Sequence, residues 1–194
     1  MKWLLRRVGK IIPNWYWRFY NARRRDVAGA APNAAHTGLA ELEKGFEVTI
    51  ITQNIDDLHE RGGSSRVIHL HGEIFKMRSE ADEKLIYPIR DDINWGDKAG
   101  DGSQLRPHIV WFGEAVPMME RAVEVMKDCD YFVVVGTSLQ VYPAASLVHY
   151  APSFLPKYII DKKIPVTENY PNLHRIEMPA TTGVERLKQL LAQE

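Results

Sequence analysis

Gln53-Asn54-Ile55-Asp56 sets two amides and a carboxylate directly behind the apolar run Thr49 to Thr52. A second apolar step, Val67-Ile68-His69-Leu70-His71, delivers an imidazole immediately before Gly72. An amide offers a donor and an acceptor together, which suits the hydroxyls of a ribose, and Asp56 could accept from a carboxamide NH2. Histidine is the usual proton acceptor near neutral pH. Glycine's missing side chain lets another backbone or a ligand come close. Gly136-Thr137-Ser138 and Asp161 close two further apolar runs in the same way. The set suits a nucleotide better than a metal. Two plainer readings stay open. Polar residues at strand ends also cap the helices that follow them. His69 and His71 share one face of a strand, with Leu70 on the other, so they could form a metal pair with His59 or His36; no third ligand sits at a telling spacing.

Alternation of strands and helices must position these residues. Trp15 to Arg25 reads as a helix with an aromatic and a basic face. Pro32-Asn33 opens a helix running through Glu43, with Gly45 as its terminal glycine. Glu47–Thr52 and Val67–His69 read as strands, rich in β-branched residues. His108–Phe112, Tyr131–Val135, Tyr158–Ile160 and Leu173–Ile176 add four more. Helices are expected over Pro117–Lys127, from Pro143 onward, and over Gly183–Leu191. Between Met77 and Leu105 the chain is polar and carries Gly96, Gly100 and Gly102, so a loop-rich lobe over about residues 76–105 is expected. The pattern predicts an α/β fold, a Rossmann-like parallel sheet with helices on both faces. Ligands of such sheets bind where strands end.

The chain has 194 residues, most simply one domain over 1–194. Its formal net charge is zero, which argues against a general affinity for nucleic acid or anionic membrane. Residues 1–14 form an atypical basic amphipathic segment, with Trp3, Leu4, Val8, Ile11 and Ile12 at helical spacing. No apolar run reaches the roughly 18 residues of a membrane span. Cys129 is the single cysteine, so neither an intrachain disulfide nor a thiolate zinc cluster can form. Both points fit a cytoplasmic protein.

At Thr52-Gln53-Asn54-Ile55-Asp56, His71-Gly72 and Gly136-Thr137-Ser138 the sequence resembles the sirtuins, the family of NAD-dependent protein lysine deacylases. Arg106 to Glu114 and Val141-Tyr142-Pro143-Ala144-Ala145 strengthen the match. The resemblance implies that the acyl oxygen of a modified lysine attacks the anomeric carbon of the nicotinamide ribose. A histidine then activates a ribose hydroxyl, and nicotinamide, O-acyl-ADP-ribose and free lysine result. It makes His71 the base and has Gln53 and Asn54 hold the ribose. Asp56 and the Ile55 backbone hold the carboxamide. Gly136, Thr137, Ser138 and Asp161 bind the rest of the NAD. Val110, Trp111, Phe112 and Gly113 line the acyl-lysine channel, where the peptide adds as a strand. The partners implied are acylated lysine proteins or peptides.

Phe19 to Arg25 further resembles the bacterial subgroup that removes acidic acyl groups. Tyr20 and Arg23, three apart, can share one helix face, and a phenol and a guanidinium suit the carboxylate of a succinyl or malonyl group. A solvated basic face would look the same. The sequence departs from the family twice. The small lobe lacks the cysteines that usually bind zinc, so none is expected. Nothing in residues 1–15 matches the family's Gly-Ala-Gly-x-Ser phosphate loop, so an N-terminally truncated sheet and weak NAD binding are expected. The alternative is then a degenerate relative acting at most as an acyl-lysine peptide binding module.

Overall fold

The computed structural model describes residues 15–137, 144–164 and 171–193. They fall into two compact units. One comprises residues up to 31 with 52–57 and 69–116, and the other 32–51, 58–68 and 117–194. The expected helix at 1–12, Ser138, and the motif from Val141 to Pro143 lie outside the described residues.

The first unit is a helix on an antiparallel sheet. Helix α1 (Trp15–Gly29) is longer than the sequence suggests. Three strands, β3 (Gly72–Ser79), β4 (Ile86–Pro88) and β5 (Leu105–Ile109), pair in the order β4-β3-β5. Of the polar stretch expected to be loop, residues 77–79, 86–88 and 105 join this sheet and the rest is mostly turns and bends. Arg78 lies opposite Ile86 on one side and Arg106 on the other. Glu73, Lys76 and Arg78 fall along β3 without regular alternation, and that hides its strand character. The lobe beyond is knitted by side chains. Ser79 Oγ donates to Asp101 at 2.6 Å. Gln104 bonds Gly96 N–H through its oxygen, and the Asn94 and Leu105 carbonyls through its nitrogen.

Tyr16, Trp17, Ile74, Ile93, Leu105, Ile109 and Trp111 form the core of this unit. Polar groups of α1 are buried beside it. Trp17 Nε1 donates to the Leu105 carbonyl at 3.2 Å. Asn21 satisfies both backbone groups of Ile93, giving to its carbonyl at 2.9 Å and accepting from its N–H at 3.0 Å. Arg24 is fully buried and donates to the carbonyls of Ile74 and Asp91 and to Asn21 Oδ1. These bonds fix both the height and the rotation of α1, since each has a required direction.

The second unit carries the parallel strands. β6 (Phe132–Val135), β7 (Lys157–Ile160) and β8 (Leu173–Ile176) pair in that order without a register slip. Helix α5 (Ala180–Leu191) packs on β7 and β8, and α2 (Ala34–Glu41) packs on α5. Tyr158, Ile160, Val184 and Leu187 are the most buried residues of the apolar cluster between them. Asn33 caps α2 as expected, accepting from Ala35 N–H at 2.9 Å, and the helix closes through a 3-10 turn at Leu42–Lys44. The short helix α3 spans Leu58–Arg61, and α4 (Met119–Lys127) precedes β6.

Two short strands, β1 (Ile50–Thr52) and β2 (Val67–His69), pair with each other, and the chain passes from one unit to the other within both strand regions. The sequence reading puts the tips after β1, β6 and β7 on one parallel sheet. Among the described residues β1 pairs with β2, and β6 and β7 belong to a separate sheet.

Candidate active site

Strand β2 stops at His69, so Leu70 and His71 form a turn rather than continuing the alternation. Leu70 and His69 are both buried, and His71 is left half-exposed. Gly72 starts β3 at φ 84°, which disfavours any residue with a Cβ. A Cβ there would lie 2.0 Å from the His108 carbonyl oxygen. The close approach read from the sequence is thus made by backbone, the neighbouring strand β5.

The tip Gln53–Asp56 packs against this turn. His71 Nδ1 lies 3.1 Å from the Gln53 carbonyl oxygen. A carbonyl can only accept, so Nδ1 carries the hydrogen and the neutral ring keeps its lone pair on Nε2. His69 Nδ1 approaches the Asn54 carbonyl in the same manner, at 3.4 Å. The two rings thus serve separate carbonyls, and among the described residues no group of three or more His, Cys, Asp or Glu could hold a metal ion. Asn54 N–H is bonded to Thr52 Oγ1, and the Ile55 carbonyl accepts from Ile74 N–H at 2.7 Å. Both bonds stiffen the tip, while the Asn54 side chain stays exposed.

Residues 110–113 follow β5, which ends three residues earlier than the sequence suggests. Val110 N–H donates to the His71 carbonyl at 3.0 Å, so this segment and the imidazole share one anchor. Trp111 is buried, and the Arg106 guanidinium lies over its ring at 3.2 Å. Arg106 also grips Glu114 through two nitrogens, at 2.8 and 3.1 Å. Glu114 in turn accepts from Trp111 N–H at 3.0 Å. Burial works to raise the Glu114 carboxyl, but the bonds from Arg106 and Trp111 outweigh it and hold the group below the usual carboxylate range. Phe112 is largely exposed, and Gly113 has φ 87°.

The three consecutive arginines of α1, Arg23 to Arg25, differ. Arg24 is buried as described, Arg25 is paired with Asp92, and Arg23 is exposed with Asp26 at 3.9 Å. Tyr20 is half-buried against the same core as Ile55 and Trp111. The first unit contains Tyr20, Arg23, Gln53, Asn54, Ile55, Asp56, His71, Val110, Trp111, Phe112 and Gly113. Gly136, Thr137 and Asp161 belong to the second unit. Gly136 sits at φ 63° with its N–H on the Ile160 carbonyl, and Asp161 Oδ1 accepts from Lys163 N–H at 3.1 Å. Sequence reasoning passed over Tyr16, Asn21 and the Arg106–Glu114 pair as site-builders. Their partners are distant in sequence, and no local spacing announces them.

The chain is similar to known proteins. The Sir2 family matches residues 10–143. An NAD-dependent protein deacylase of Bacteroides thetaiotaomicron is 52% identical over 179 residues, covering 89% of this chain and 76% of that protein. One from Helicobacter pylori is 57% identical over 145 residues, 75% of this chain and 63% of its own length. Among solved structures, a mutant Sir2 homologue in complex with ADP-ribose superposes with a TM-score of 0.81 at 34% identity, over 94% of this chain and 77% of that one. A Sir2 homologue in complex with NAD gives 0.80 at 34% identity, over 91% and 71%. A match spanning most of the described residues, at identities this high, leaves one conclusion: the chain belongs to the Sir2 family.

Proposed function

We propose that this chain is an NAD-dependent protein lysine deacylase, that residues 1–194 act as one catalytic domain, and that it favours acidic acyl groups, succinyl or malonyl. The observation that carries the reading is the bond from His71 Nδ1 to the Gln53 carbonyl. It commits the opposite nitrogen to accepting a proton, and it does so beside the amide-bearing tip. NAD supplies the anomeric carbon that takes the acyl oxygen, and nicotinamide is the leaving group. The residues present fit that co-substrate: Asn54 presents an exposed amide, and the Ile55 carbonyl is tied into the core so that the tip keeps its shape.

His71 accepts the proton of a ribose hydroxyl through Nε2. Gln53 and Asn54 orient that ribose, and Asp56 with the Ile55 backbone takes the carboxamide. Gly136, Thr137, Ser138 and Asp161 are further cofactor-binding residues. Val110, Trp111, Phe112 and Gly113 receive the acyl-lysine. The Trp111 indole N–H supports this, being buried with no acceptor among the described residues. A buried donor of this kind costs about 1–3 kcal/mol until something accepts from it. Tyr20 and Arg23 meet the acyl carboxylate, and the exposure of Arg23 keeps its fork accessible. Among the described residues no helix is long and apolar enough to cross a membrane, and we place the protein in the cytoplasm.

The test is to mix the chain with a succinyl-lysine peptide and NAD and to follow free lysine by mass spectrometry. His71→Ala should lower the rate by about 10²–10⁴-fold, the usual worth of a general base. Equal rates in both proteins would overturn the assignment. Peptide binding that ignores both NAD and the substitution would leave a binding module instead.

A further inference from the structure

Tyr16 stands between two of the residues assigned to the substrate. Its ring meets Trp111 edge-on, with centroids 4.5 Å apart and planes at 70°. One turn along α1 it lies 5.1 Å from the Tyr20 ring. It is buried, so these contacts hold it rather than solvent. The Tyr16 hydroxyl donates to the Tyr20 hydroxyl in a long hydrogen bond of 3.5 Å. That polarity has a consequence for Tyr20. Its oxygen is the acceptor, so its own hydrogen is left to point away from Tyr16. Burial pushes both phenols up, so both keep their protons at any ordinary pH.

We propose that Tyr16 is a specificity-determining residue, which aims the Tyr20 hydroxyl hydrogen at the free carboxylate of an acidic acyl-lysine. It acts through Tyr20 and is a positioning residue. The inference rests on the acidic-acyl reading above. The chain of bonds from Tyr16 to Tyr20 to carboxylate polarises in one direction, each bond strengthening the next. A carboxylate terminus gains from this, because hydrogen bonds to charged acceptors are the stronger kind. An acetyl group has no such terminus and gains nothing. Asn21 and Arg24 support the device by fixing the rotation of the turn that carries Tyr20.

Binding alone tests it, without turnover. Succinyl-lysine and acetyl-lysine peptides of one sequence are titrated calorimetrically into the full chain and into its Tyr16→Phe, Tyr20→Phe and doubly substituted forms. Phenylalanine keeps the ring packing and removes only the donor. Tyr16→Phe should weaken the succinyl peptide about fivefold and leave the acetyl peptide unchanged, as loss of one supporting hydrogen bond would. The double form should bind succinyl peptide no worse than Tyr20→Phe alone. Tyr16→Phe weakening both peptides alike, or neither, overturns the proposal. If the unaltered chain and Tyr20→Phe both treat the two peptides alike, the acidic-acyl reading itself fails and Tyr16 loses its role with it.

Discussion

In the unit built on β3, β4 and β5, Asn21, Arg24, Arg78, Arg106 and Gln104 are all buried, and each is bonded to backbone or to a carboxylate. In the unit built on β6, β7 and β8 the side chains closest to zero exposure are Ala122, Ile160, Val184 and Leu187, with Lys157 as its buried charge. Hydrogen bonds have a required direction, and a buried group that loses its partner costs about 1–3 kcal/mol. Apolar burial has no direction and tolerates repacking. The imidazole proposed as the base and the residues proposed for the acyl group sit in the directional unit. Chemistry needs atoms held to within about half an ångström, which apolar packing alone defines less sharply.

The contrast is broken or sharpened most strongly at glycine. Gly72→Ala puts a Cβ 2.0 Å from the His108 carbonyl oxygen, at a positive φ. Both strands there are backbone and neither can give, so a loss of about 4 kcal/mol or more is expected in urea unfolding. A loss below about 1 kcal/mol would mean the first unit yields as easily as an apolar core.

Glu114→Gln should cost about 2 kcal/mol at neutral pH, because Arg106 keeps its geometry and loses its charge partner. The acid response sharpens the point. Glu114 ionises more readily in the fold than at its ordinary value of 4.5. As pH falls the unfolded chain therefore takes up the proton first. The stability from this group is complete above about pH 4.5 and fades as pH drops through the lower folded value. Thermal melts from pH 6 to 3 should converge for the two proteins at the acid end. Parallel curves would show that the carboxylate contributes nothing.

The smallest effect is expected at Gly183, the second unit's own tight glycine. Its added Cβ would meet Ile160 Cγ2 at 2.2 Å, a side-chain atom rather than backbone. Overpacking costs about 1–3 kcal/mol, and alanine returns up to about 1 kcal/mol of helix propensity. A net loss of about 1 kcal/mol in the same urea assay fits a tolerant unit; a loss matching Gly72→Ala would erase the distinction.

The parallel unit was the more legible of the two. β8 falls on the expected residues, β6 and β7 within one, and Asn33 caps the predicted helix. Their signals are local: β-branched runs and a capping side chain. The Gln53–Asp56 tip and His71 were legible for the same reason, since residue type and spacing sit within about twenty positions. β3 was hidden because Glu73, Lys76 and Arg78 give it the composition of a loop, and cross-strand pairing makes it a strand. In the run of arginines after Ala22 nothing local distinguishes Arg24 from its neighbours. Its partners are carbonyls at Ile74 and Asp91, about fifty and seventy residues away. Tyr16 likewise gains its meaning from Trp111, which no helical spacing can predict.

Lys157 opens β7 almost fully shielded, and its ammonium gives one hydrogen each to the carbonyls of Pro152, Ser153 and Leu155. With all three hydrogens engaged the nitrogen has no lone pair to offer an electrophile. Thioesters and acyl phosphates that modify exposed amines find nothing to react with here. An acyl mark detected on Lys157 would therefore date from before the turn closed, a record of the nascent or unfolded chain.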